Sequence, residues 1–330
     1  MSQTPRVGVL LVQLGTPDGP DVASVRRYLR TFLMDPRVID LPAVPRWLLV
    51  HGVIAPFRGP RSAAAYQAVW TPAGSPLLAY TNALAEALSL RVGLPVAVGM
   101  RYGNPSIPAA LARLGDCDRI VVVPLYPQYA SASSGSALEA VLGALARATA
   151  IPALTVTRPL AQYAGWAEAV AHLAQDAVTD ADAVVCSYHG LPERQVRATR
   201  SGCLDHPTCC DRPDARFGHC YRAQCLDASR TIAVALGRAS VETAFQSRVG
   251  RDAWLAPSLD QTLDRLLDAG ARRIAVIAPS FVADCLETLE EIGLRARERV
   301  AARGGELRLA PCLNADPRWV ETLAQAIAHP

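Results

Sequence analysis

Short apolar segments that alternate with helical segments constrain the fold of this chain more than any other feature of its sequence. The first, residues 6–13, is followed by a polar loop and a helical pattern at 21–32, with Asp21 as its cap. Further strands are predicted at 95–100, 119–124, 151–157, 181–186, 241–246, 272–278 and 307–310. Near-continuous apolar strands are typical of a parallel sheet covered on both faces. Strands that alternate with helices predict an α/β fold, here two similar-sized lobes that meet near residues 158–162 with a cleft between them.

One of these strands runs into Ser-Tyr-His-Gly-Leu-Pro at 187–192, and this places His189 where chemistry is expected. In open α/β sheets, ligands bind beyond the carboxyl ends of the strands. A second strand end delivers Asp284 and Glu287 into the opening of a helix predicted at 286–303. A single histidine in a turn is as often structural as functional. Two strand ends that offer an imidazole and carboxylates, however, predict one shared site.

Charge and composition exclude several classes of function. The net charge is only +3, from 33 basic and 30 acidic residues, so a nucleic-acid-binding surface is not indicated. The sequence contains no lysine, which excludes a Walker P-loop and a lysine Schiff base. No Gly-x-Gly-x-x-Gly follows the first strand, so no nucleotide cofactor is expected. No signal-peptide pattern opens the sequence and no apolar run reaches the ~20 residues of a membrane span, which predicts a cytoplasmic protein.

The loops after the predicted strands combine tyrosine, serine, arginine, glutamine, asparagine, histidine and glutamate with apolar surface nearby. A large, flat, mostly apolar ligand with a few acidic arms requires this combination. Arginine suits the acidic arms, because its guanidinium binds carboxylates bidentately.

The segment at 41–60 is apolar, contains Trp47 and Phe57, and is flanked by proline and arginine. It is too short to cross a bilayer. One interpretation is a buried helix in the core. The other is an exposed lip that contacts an apolar ligand or rests on a membrane surface.

A cysteine-rich stretch at about 200–222 interrupts the α/β pattern. Residues 203–225 contain five cysteines and two histidines within 23 positions. In a cytoplasmic protein such thiols are more often metal ligands than disulfides. Cysteine with histidine suits tetrahedral Zn²⁺, whereas four thiolates alone suit an iron–sulfur cluster. Spacing leaves both alternatives open, together with unrelated free thiols.

Six short motifs occur in order along the chain. They are Leu-Gly-Thr-Pro at 14–17, Arg-Tyr-Gly-Asn-Pro at 101–105, Leu-Tyr-Pro-Gln-Tyr at 125–129, Ser-Tyr-His-Gly-Leu-Pro at 187–192, Phe-Gln-Ser-Arg-Val-Gly at 245–250 and Asp-Cys-Leu-Glu-Thr-Leu-Glu-Glu at 284–291. Together they make the chain resemble the ferrochelatase family over essentially its whole length. The resemblance implies two Rossmann-like lobes, at 1–160 and 161–330, with the lip at about 41–60 in the first and the cysteine-rich insertion in the second. The C-terminal helix is expected to dock back on the first lobe.

The resemblance implies insertion of Fe²⁺ into a porphyrin, protoporphyrin IX, to make protohaem in the last step of haem synthesis. Two protons are released and no nucleotide is used. On the family pattern, His189 and Glu287 are the metal-facing pair, and the lip borders the active site, where it is also placed for peripheral membrane contact. The residues expected to contact the porphyrin are Leu14, Arg58, Tyr66, Ser75, Arg101, Tyr102 and Tyr126. Coproporphyrin is an equally compatible substrate.

Two features depart from the family pattern. Many relatives carry a histidine where this chain has Cys285, so Cys285 is given no ligand role. The cysteine-rich stretch is an insertion relative to the shortest bacterial members, and some members hold a [2Fe–2S] cluster. The resemblance therefore favours a [2Fe–2S] cluster over zinc. The expected ligands are Cys203, Cys209, Cys210 and Cys220, with Cys225 in reserve.

The chemistry of metal insertion limits what the site must supply. Two pyrrole protons leave as the metal enters, and a planar ring shields its nitrogen lone pairs, so the pocket should hold a distorted ring. An imidazole can accept a pyrrole proton or ligate Fe²⁺, and Glu287 can take the other role, supported by Glu290 and Glu291 on the same helix. Two alternatives remain: a cobalt or nickel chelatase acting on a sirohydrochlorin-type ring, and a non-catalytic tetrapyrrole-binding redox sensor.

Overall fold

The computed structural model describes residues 5–199, 202–206, 208–210, 217–248, 250 and 252–330. Within these residues the chain divides into two compact units. The first comprises the residues up to Leu125 together with Ser131–Arg158 and Ala315–Pro330. The second comprises Tyr126–Ala130 and Pro159–Asn314.

In the described residues, the first unit is built on a parallel four-stranded sheet of order β2-β1-β3-β4. Its strands are β1 (Val7–Gly15), β2 (Val96–Tyr102), β3 (Arg119–Pro124) and β4 (Ala153–Val156). Its helices are α1 (Val22–Leu33), α2 (Ala43–Leu48), α3 (Ala55–Val69), α4 (Pro76–Val92), α5 (Ile107–Arg113), α6 (Ser136–Leu145) and, at the end of the chain, α12 (Pro317–Ala328). Two π-helical segments, Leu49–Ile54 and Ser131–Gly135, lead into α3 and α6.

The second unit repeats the plan, with a parallel sheet of order β6-β5-β7-β8 over the residues described. Its strands are β5 (Ala183–His189), β6 (Glu242–Gln246), β7 (Arg273–Ile277) and β8 (Glu306–Leu309). Its α-helices are α7 (Trp166–Val178), α8 (Glu193–Thr199), α9 (Tyr221–Ala235), α10 (Leu259–Asp268) and α11 (Arg297–Ala301). Short 3₁₀ turns at Leu160–Gln162 and Phe217–His219 and a π-helix at Glu287–Ala296 complete it.

β1 and β5 lie inside their sheets because their side chains tolerate burial on both faces. In β1, Val9, Leu10, Leu11 and Val12 have no exposed surface. β1 lies between β2 and β3, and β5 lies between β6 and β7, so the chain order reverses beside each of them. Such a reversal opens a crevice at the carboxyl ends of the strands. The loops that follow β1 and β3, and those that follow β5 and β7, are therefore the places for ligands.

Helix ends follow the expected capping chemistry. The Asp21 carboxylate accepts from the backbone N–H groups of Ala23 and Ser24, which confirms the predicted cap of α1. The last helix of the chain, α12, packs on α4 within the first unit. Arg91 of α4 and Glu321 of α12 pair through two hydrogen bonds, of 2.6 and 3.0 Å.

Two elements differ from the sequence prediction in ways that matter for the site. β5 continues to His189, beyond the predicted end at residue 186, because residues 187–189 pair with β6. His189 is therefore the last residue of a strand, not part of a turn. The helix predicted at 286–303 is a π-helix over Glu287–Ala296, followed by α11. Such i→i+5 turns are rare and concentrate at functional sites.

The apolar segment at 41–60 forms α2, the π-helical turn and the start of α3. Its large apolar side chains point to solvent: Phe57 is 80% exposed and Trp47 52%, and Val44, Leu48 and Val53 are similarly exposed. The segment is therefore an exposed apolar surface and not a core helix. No helix in the described part of the chain combines the length and the apolarity that crossing a bilayer requires.

Candidate functional site

His189 ends β5 beside the reversal of strand order in the second sheet. Its backbone N–H donates to Ser280 Oγ (3.3 Å), and its carbonyl oxygen accepts from the Tyr221 hydroxyl (2.8 Å). Ser280 follows β7, and Tyr221 begins α9. The backbone position of the histidine is therefore set by three elements together.

The imidazole of His189 has a defined hydrogen bond. Its Nδ1 lies 2.7 Å from the carbonyl oxygen of Gly190, and because a carbonyl only accepts, the proton is assigned to Nδ1. The opposite nitrogen, Nε2, then offers its lone pair to a proton or a metal ion. The side chain is half-buried, and its ring centroid lies 6.4 Å from that of Phe281. The result is a single oriented acceptor with an apolar neighbour.

Gly190 is required by the close approach of two strands. A Cβ at this position would lie 2.7 Å from the carbonyl oxygen of Gln246 and 3.3 Å from the Trp254 ring. The Gly190 N–H donates to the same carbonyl at 2.8 Å. Any larger residue would displace the peptide whose carbonyl holds the His189 ring.

Gln246 connects the strand of His189 with Glu287. It is the β-ladder partner of His189. Its Oε1 accepts from Ser187 Oγ (2.7 Å), and its Nε2 donates to the backbone carbonyl of Glu287 (2.9 Å). The Gln246 side chain therefore joins β5, the strand that ends in His189, to the backbone of Glu287.

The three glutamates at the start of the π-helix have different surroundings. Glu291 accepts from the backbone N–H (2.8 Å) and the hydroxyl (2.6 Å) of Ser247, and Glu290 accepts from Arg295 Nε (2.9 Å). Half-buried Glu287 instead lies beside Cys285. Burial, and then the charge of Glu287, raise the pKa of the Cys285 thiol well above its ordinary value. The thiol of Cys285 next to Glu287 is therefore neutral.

Asp284 holds the entrance to the π-helix in place. Its buried carboxylate accepts from Thr288 Oγ1 (3.1 Å), Asn314 Nδ2 (2.8 Å) and the backbone N–H of Cys312 (3.3 Å). The Asp284 N–H donates to Asn314 Oδ1 (2.9 Å). Both carboxylate oxygens are thus satisfied, as a buried charge requires.

In the first unit, two of the predicted ligand-binding residues lie near the carboxyl end of β1. Leu14 is half-buried in the strand, and Ser75 Oγ accepts from Thr16 Oγ1 (2.8 Å) just beyond it. Gly15, between them, has φ +111°, and a Cβ there would lie 1.7 Å from the Tyr102 carbonyl oxygen. Only glycine permits this pairing of β1 with β2.

Arg101 and Tyr102 converge on a buried carboxylate that sequence analysis did not single out. Asp35 Oδ2 accepts from Arg101 Nη2 (2.7 Å), the Tyr102 hydroxyl (2.7 Å) and Ser136 Oγ (2.6 Å). Burial by itself would raise the pKa of Asp35, but the hydrogen bonds from Ser136, Tyr102 and the Arg37 N–H, with the charge of Arg101, lower it. Burial also raises the pKa of the Tyr102 phenol. Arg101 is thereby oriented by a charge inside the first unit.

The remaining predicted ligand-binding residues have separate environments. Tyr66 is buried, with its ring edge-on to Tyr28 (6.5 Å) and Trp70 (6.2 Å). Arg58 is exposed on α3, and half-buried Tyr126 belongs to the second unit. The structure thus groups Leu14 with Ser75 and Arg101 with Tyr102, and places Tyr66, Arg58 and Tyr126 individually.

The four predicted cysteine ligands lie in the described part of the insertion. Cys209 Sγ is 3.4 Å from Cys210 Sγ, which is 3.6 Å from Cys220 Sγ. Cys203 is buried and its thiol interacts with that of Cys220. No group of three or more histidine, cysteine or acidic side chains in the described residues is arranged to hold a metal ion, so the sulfurs approach in pairs. Positions 200, 201, 207 and 211–216 of the insertion lie outside the described residues.

Sequence analysis did not single out Asp35, Gln246 or Tyr221, each for a physical reason. Gln246 stands in the motif at 245–250, but its contacts depend on which strand pairs with β5. Asp35 follows α1, and its partners Arg101 and Tyr102 are 66 and 67 residues away. Tyr221 begins α9, and its partner His189 is 32 residues away. No local sequence signal marks either residue. Only strand order brings such partners together.

Solved structures with a similar fold include two structures of SirB. "SirB from Bacillus subtilis with Fe3+" aligns over 98% of this chain and 95% of that chain, with a TM-score of 0.58 and 12% identity. The sirohydrochlorin chelatase SirB from Bacillus subtilis subspecies spizizenii, in complex with cobalt, aligns over 98% and 94%, with a TM-score of 0.55 and 12% identity. At this identity the likeness concerns the fold alone. It confirms the predicted α/β class, with two Rossmann-like parallel sheets flanked by helices.

Sequence relatives define the family more narrowly. The ferrochelatase family model matches residues 6–330. A ferrochelatase of Legionella pneumophila is 46% identical over 325 residues, which is 96% of this chain and 97% of the relative. A ferrochelatase of Coxiella burnetii is 43% identical, over 97% and 92%. The chain belongs to the ferrochelatase family, which confirms the resemblance of its six motifs.

Proposed function

We propose that this chain is an enzyme that inserts Fe²⁺ into protoporphyrin IX to form protohaem, the last step of haem synthesis. The observation that carries the proposal is the hydrogen bond from His189 Nδ1 to the Gly190 carbonyl, which leaves Nε2 as a single oriented acceptor at a strand end. Identity of 46% to a ferrochelatase across nearly the whole chain supports the choice of substrate class.

The reaction exchanges two protons for one metal ion. The two pyrrole N–H bonds of the free porphyrin break as four nitrogen–iron bonds form, so Fe²⁺ enters and two protons leave. His189 Nε2, which lies near the apolar ring of Phe281, accepts a pyrrole proton. Glu287 supplies the carboxylate that ligates the entering Fe²⁺.

Porphyrin binding needs an apolar face and partners for two carboxylates. The exposed guanidinium of Arg58 can reach one carboxylate. Asp35 binds Arg101 Nη2 and Ser136 binds Arg101 Nε. The remaining guanidinium nitrogen of Arg101 is therefore pre-oriented for the second porphyrin carboxylate. Tyr102 contributes through Asp35, and Leu14, Tyr66, Ser75 and Tyr126 provide the ring and polar contacts. Binding energy from these contacts holds the ring in a distorted form.

Anaerobic Fe²⁺ insertion, followed by the loss of porphyrin fluorescence, tests this function. His189→Ala should lower kcat at least about 100-fold, while porphyrin affinity changes little. His172→Ala, an exposed histidine on α7 of the same unit, is the matched control and should behave as wild type. Undiminished insertion by His189→Ala would overturn the assignment. Protoporphyrin and coproporphyrin are compared as substrates, and faster Co²⁺ insertion into sirohydrochlorin would replace the proposal with the cobalt-chelatase alternative.

We also propose that the cysteine insertion holds a [2Fe–2S] cluster. Tetrahedral ligands at metal–sulfur distances near 2.3 Å lie about 3.8 Å apart, close to the 3.4 and 3.6 Å between paired sulfurs here. Arg197 organises the loop, because its guanidinium donates to the carbonyls of Cys203 and Leu204 at 3.1 Å. The proposed ligands are Cys203, Cys209, Cys210 and Cys220. Such a cluster would supply one-electron chemistry or a rigid cross-link.

Two further contacts bear on the choice of ligands, and the first of them favours thiol ligands over a mixed zinc site. His219, which directly precedes Cys220, packs its ring edge-on against Tyr129, with the centroids 5.4 Å apart. The His219 ring is therefore engaged in an aromatic contact. Cys225 is fully buried on α9, and its thiol interacts with Tyr221. Iron and sulfide analysis with the visible spectrum of anaerobically purified protein tests the cluster. Stoichiometric zinc in a colourless protein would refute the cluster. Cys117→Ser is the control for serine variants of the four proposed cysteine ligands.

The apolar lip at about 41–60 is proposed to contact a membrane surface peripherally. Its aromatic tips, Trp47 and Phe57, are 52% and 80% exposed, and arginines flank it. Sedimentation with phosphatidylglycerol–phosphatidylcholine vesicles should recover wild-type protein and not the Trp47→Ser, Phe57→Ser double variant. Leu90→Ser removes an equally exposed apolar side chain from α4 (82%) and should leave binding unchanged. Equal recovery of all three proteins would exclude the lip as the contact.

A further inference from the structure

The backbone N–H and the backbone carbonyl of His189 are held by two neighbouring hydroxyls. Tyr221 OH donates to the His189 carbonyl (2.8 Å), and Ser280 Oγ accepts from the His189 N–H (3.3 Å). The two hydroxyls are themselves 3.3 Å apart. Since Tyr221 gives its proton to the carbonyl, Ser280 donates to the Tyr221 oxygen, and the three groups form a closed ring of hydrogen bonds.

This ring of hydrogen bonds also influences the orientation of the His189 imidazole. The His189 side chain is oriented through the carbonyl of the next residue, Gly190, at 2.7 Å. A rotation of the peptide that Tyr221 holds therefore changes the angle between Nδ1 and that carbonyl. Without the hydrogen bond between Nδ1 and the Gly190 carbonyl, the imidazole would no longer be fixed in orientation, nor in the tautomer that leaves Nε2 as the acceptor.

Tyr221 is joined directly to the cysteine insertion. It follows Cys220, the N-cap residue of α9, whose Sγ lies 3.6 Å from Cys210 Sγ. A proposed cluster ligand is thus the chain neighbour of the residue whose hydroxyl contacts the proposed catalytic histidine. Tyr221 is 6% exposed, so its ring is packed and cannot absorb a shift of its own backbone by swinging into solvent.

The next turn of α9 is anchored independently. Gln224 accepts from the Tyr129 N–H (2.8 Å) and donates to the Tyr129 carbonyl (3.3 Å). These two bonds tie the helix to Tyr126–Ala130, a segment of the same unit. A displacement at Cys220 is therefore concentrated at Tyr221 rather than spread along the helix.

We propose that Tyr221 is a positioning residue for His189, and that through the Cys220–Tyr221 peptide the state of the cysteine site sets the rate of metal insertion. The inference rests on the proposed function, because it requires His189 to act in the reaction. Occupied ligands hold Cys220 and keep the hydrogen-bonded ring closed. Loss of the occupant or of a ligand lets the first turn of α9 move, and the imidazole loses its orientation.

Tyr221→Phe removes only the hydroxyl and is the first test. It should lower kcat for Fe²⁺ insertion about tenfold, as loss of a group that orients a catalytic imidazole does, with KM for porphyrin unchanged. Tyr188→Phe is the matched control, because Tyr188 is fully buried, adjacent to His189, and its hydroxyl bonds to Ser229 instead (2.9 Å). If Tyr221→Phe folds poorly, Ser280→Ala opens the same ring and should give the same change. Equal kcat for Tyr221→Phe and Tyr188→Phe would overturn the positioning role.

A second readout does not depend on activity. With ¹⁵N-labelled histidine, the His189 resonances are assigned by their loss in His189→Gln. Wild type should show a protonated Nδ1 and an unprotonated Nε2, and Tyr221→Phe should show averaging of the two nitrogens. Imidazole shifts identical to those of wild type would overturn the inference even if activity fell.

The link to the cysteine site is tested by a double-mutant cycle. Cys209→Ser removes a ligand that lies outside α9, and should lower kcat in wild type but by less than about twofold in the Tyr221→Phe background, because both act through one path. Effects that multiply would reject the link and leave only the positioning role. If instead the wild-type protein does not insert Fe²⁺, it is the proposed function that fails, and if His189→Ala inserts Fe²⁺ normally, it is the catalytic role of His189 that fails, so the failures are distinguishable.

Discussion

Asp35 is expected to be the charge on which the first unit most depends. Three donors, from Arg101, Tyr102 and Ser136, reach its Oδ2 within 2.7 Å, and the Arg37 N–H reaches Oδ1 at 2.7 Å. The perturbation is Asp35→Asn, which keeps the shape and removes the charge. An amide has one acceptor oxygen and one NH₂ donor, so in either orientation its NH₂ faces at least one donor.

The magnitude follows from burial. The side chain of Asp35 is 2% exposed and that of Arg101 is 23% exposed. Removing one partner of a buried ion pair costs about 3–5 kcal/mol, and an unpaired buried donor about 1–3 kcal/mol. Since Arg101 retains some access to water, we expect a loss near the lower end, about 3 kcal/mol of unfolding free energy.

Urea unfolding followed by circular dichroism measures this loss. The control is Glu139→Gln, which breaks the exposed pair between Glu139 and Arg37 and should cost less than about 1 kcal/mol. The pH dependence gives a second check. Because the pKa of Asp35 is lowered in the folded state, its charge stabilises the protein fully above the unfolded-state value of about 3.9, and this is lost as the pH falls through the folded-state pKa.

The difference between wild type and Asp35→Asn should therefore be complete at pH 7 and narrow below about pH 4. A change under about 1 kcal/mol at pH 7 would contradict the reasoning. So would a difference that widens as the pH falls, because that sign belongs to a group whose pKa is raised by folding.

Three other changes probe the site. Gly190→Ala should lower kcat about 100-fold through displacement of the backbone. Gly143→Ala in α6, where a Cβ meets nothing within 4 Å, is the control and should leave activity unchanged. Equal activities of the two variants would contradict the close approach of Gly190 to the Gln246 carbonyl. Gln246→Leu leaves its two hydrogen-bonding partners unpaired and should lower kcat about tenfold, and normal turnover would show that the connection to Glu287 is dispensable. Cys186 should resist iodoacetamide at pH 8 in the native protein, because burial raises its pKa to about 12; rapid labelling seen by mass spectrometry would contradict its burial.

Local patterns predicted most elements, and they failed where pairing lengthens an element. The apolar run of β1 and the cap at Asp21 are local properties. The cap lies where the sequence placed it, and the strand begins one residue later and ends two residues later than predicted. β5 was predicted to stop at 186 because Ser187, Tyr188 and His189 are polar or amphipathic. Pairing with β6 gives their backbone groups partners, so the strand continues.

The π-helix at Glu287–Ala296 was predicted as an ordinary helix for a related reason. Its sequence has the apolar spacing of an α-helix, and nothing local distinguishes i→i+5 from i→i+4 bonds. The wider turn is held from outside, by Asp284 at the entrance and by Ser247, which binds Glu291 through two hydrogen bonds.

By itself, the sequence determined the α/β class and the family, and it pointed to His189 and Glu287 as the candidate pair, because strand periodicity and short motifs are properties of contiguous residues. Tertiary structure alone decided which nitrogen of His189 carries the proton, which charge holds Arg101, and which glutamates are already engaged. The physical reason is that hydrogen bonds act over about 3 Å, so these choices belong to partners that are distant in sequence and meet only when the strand order is set.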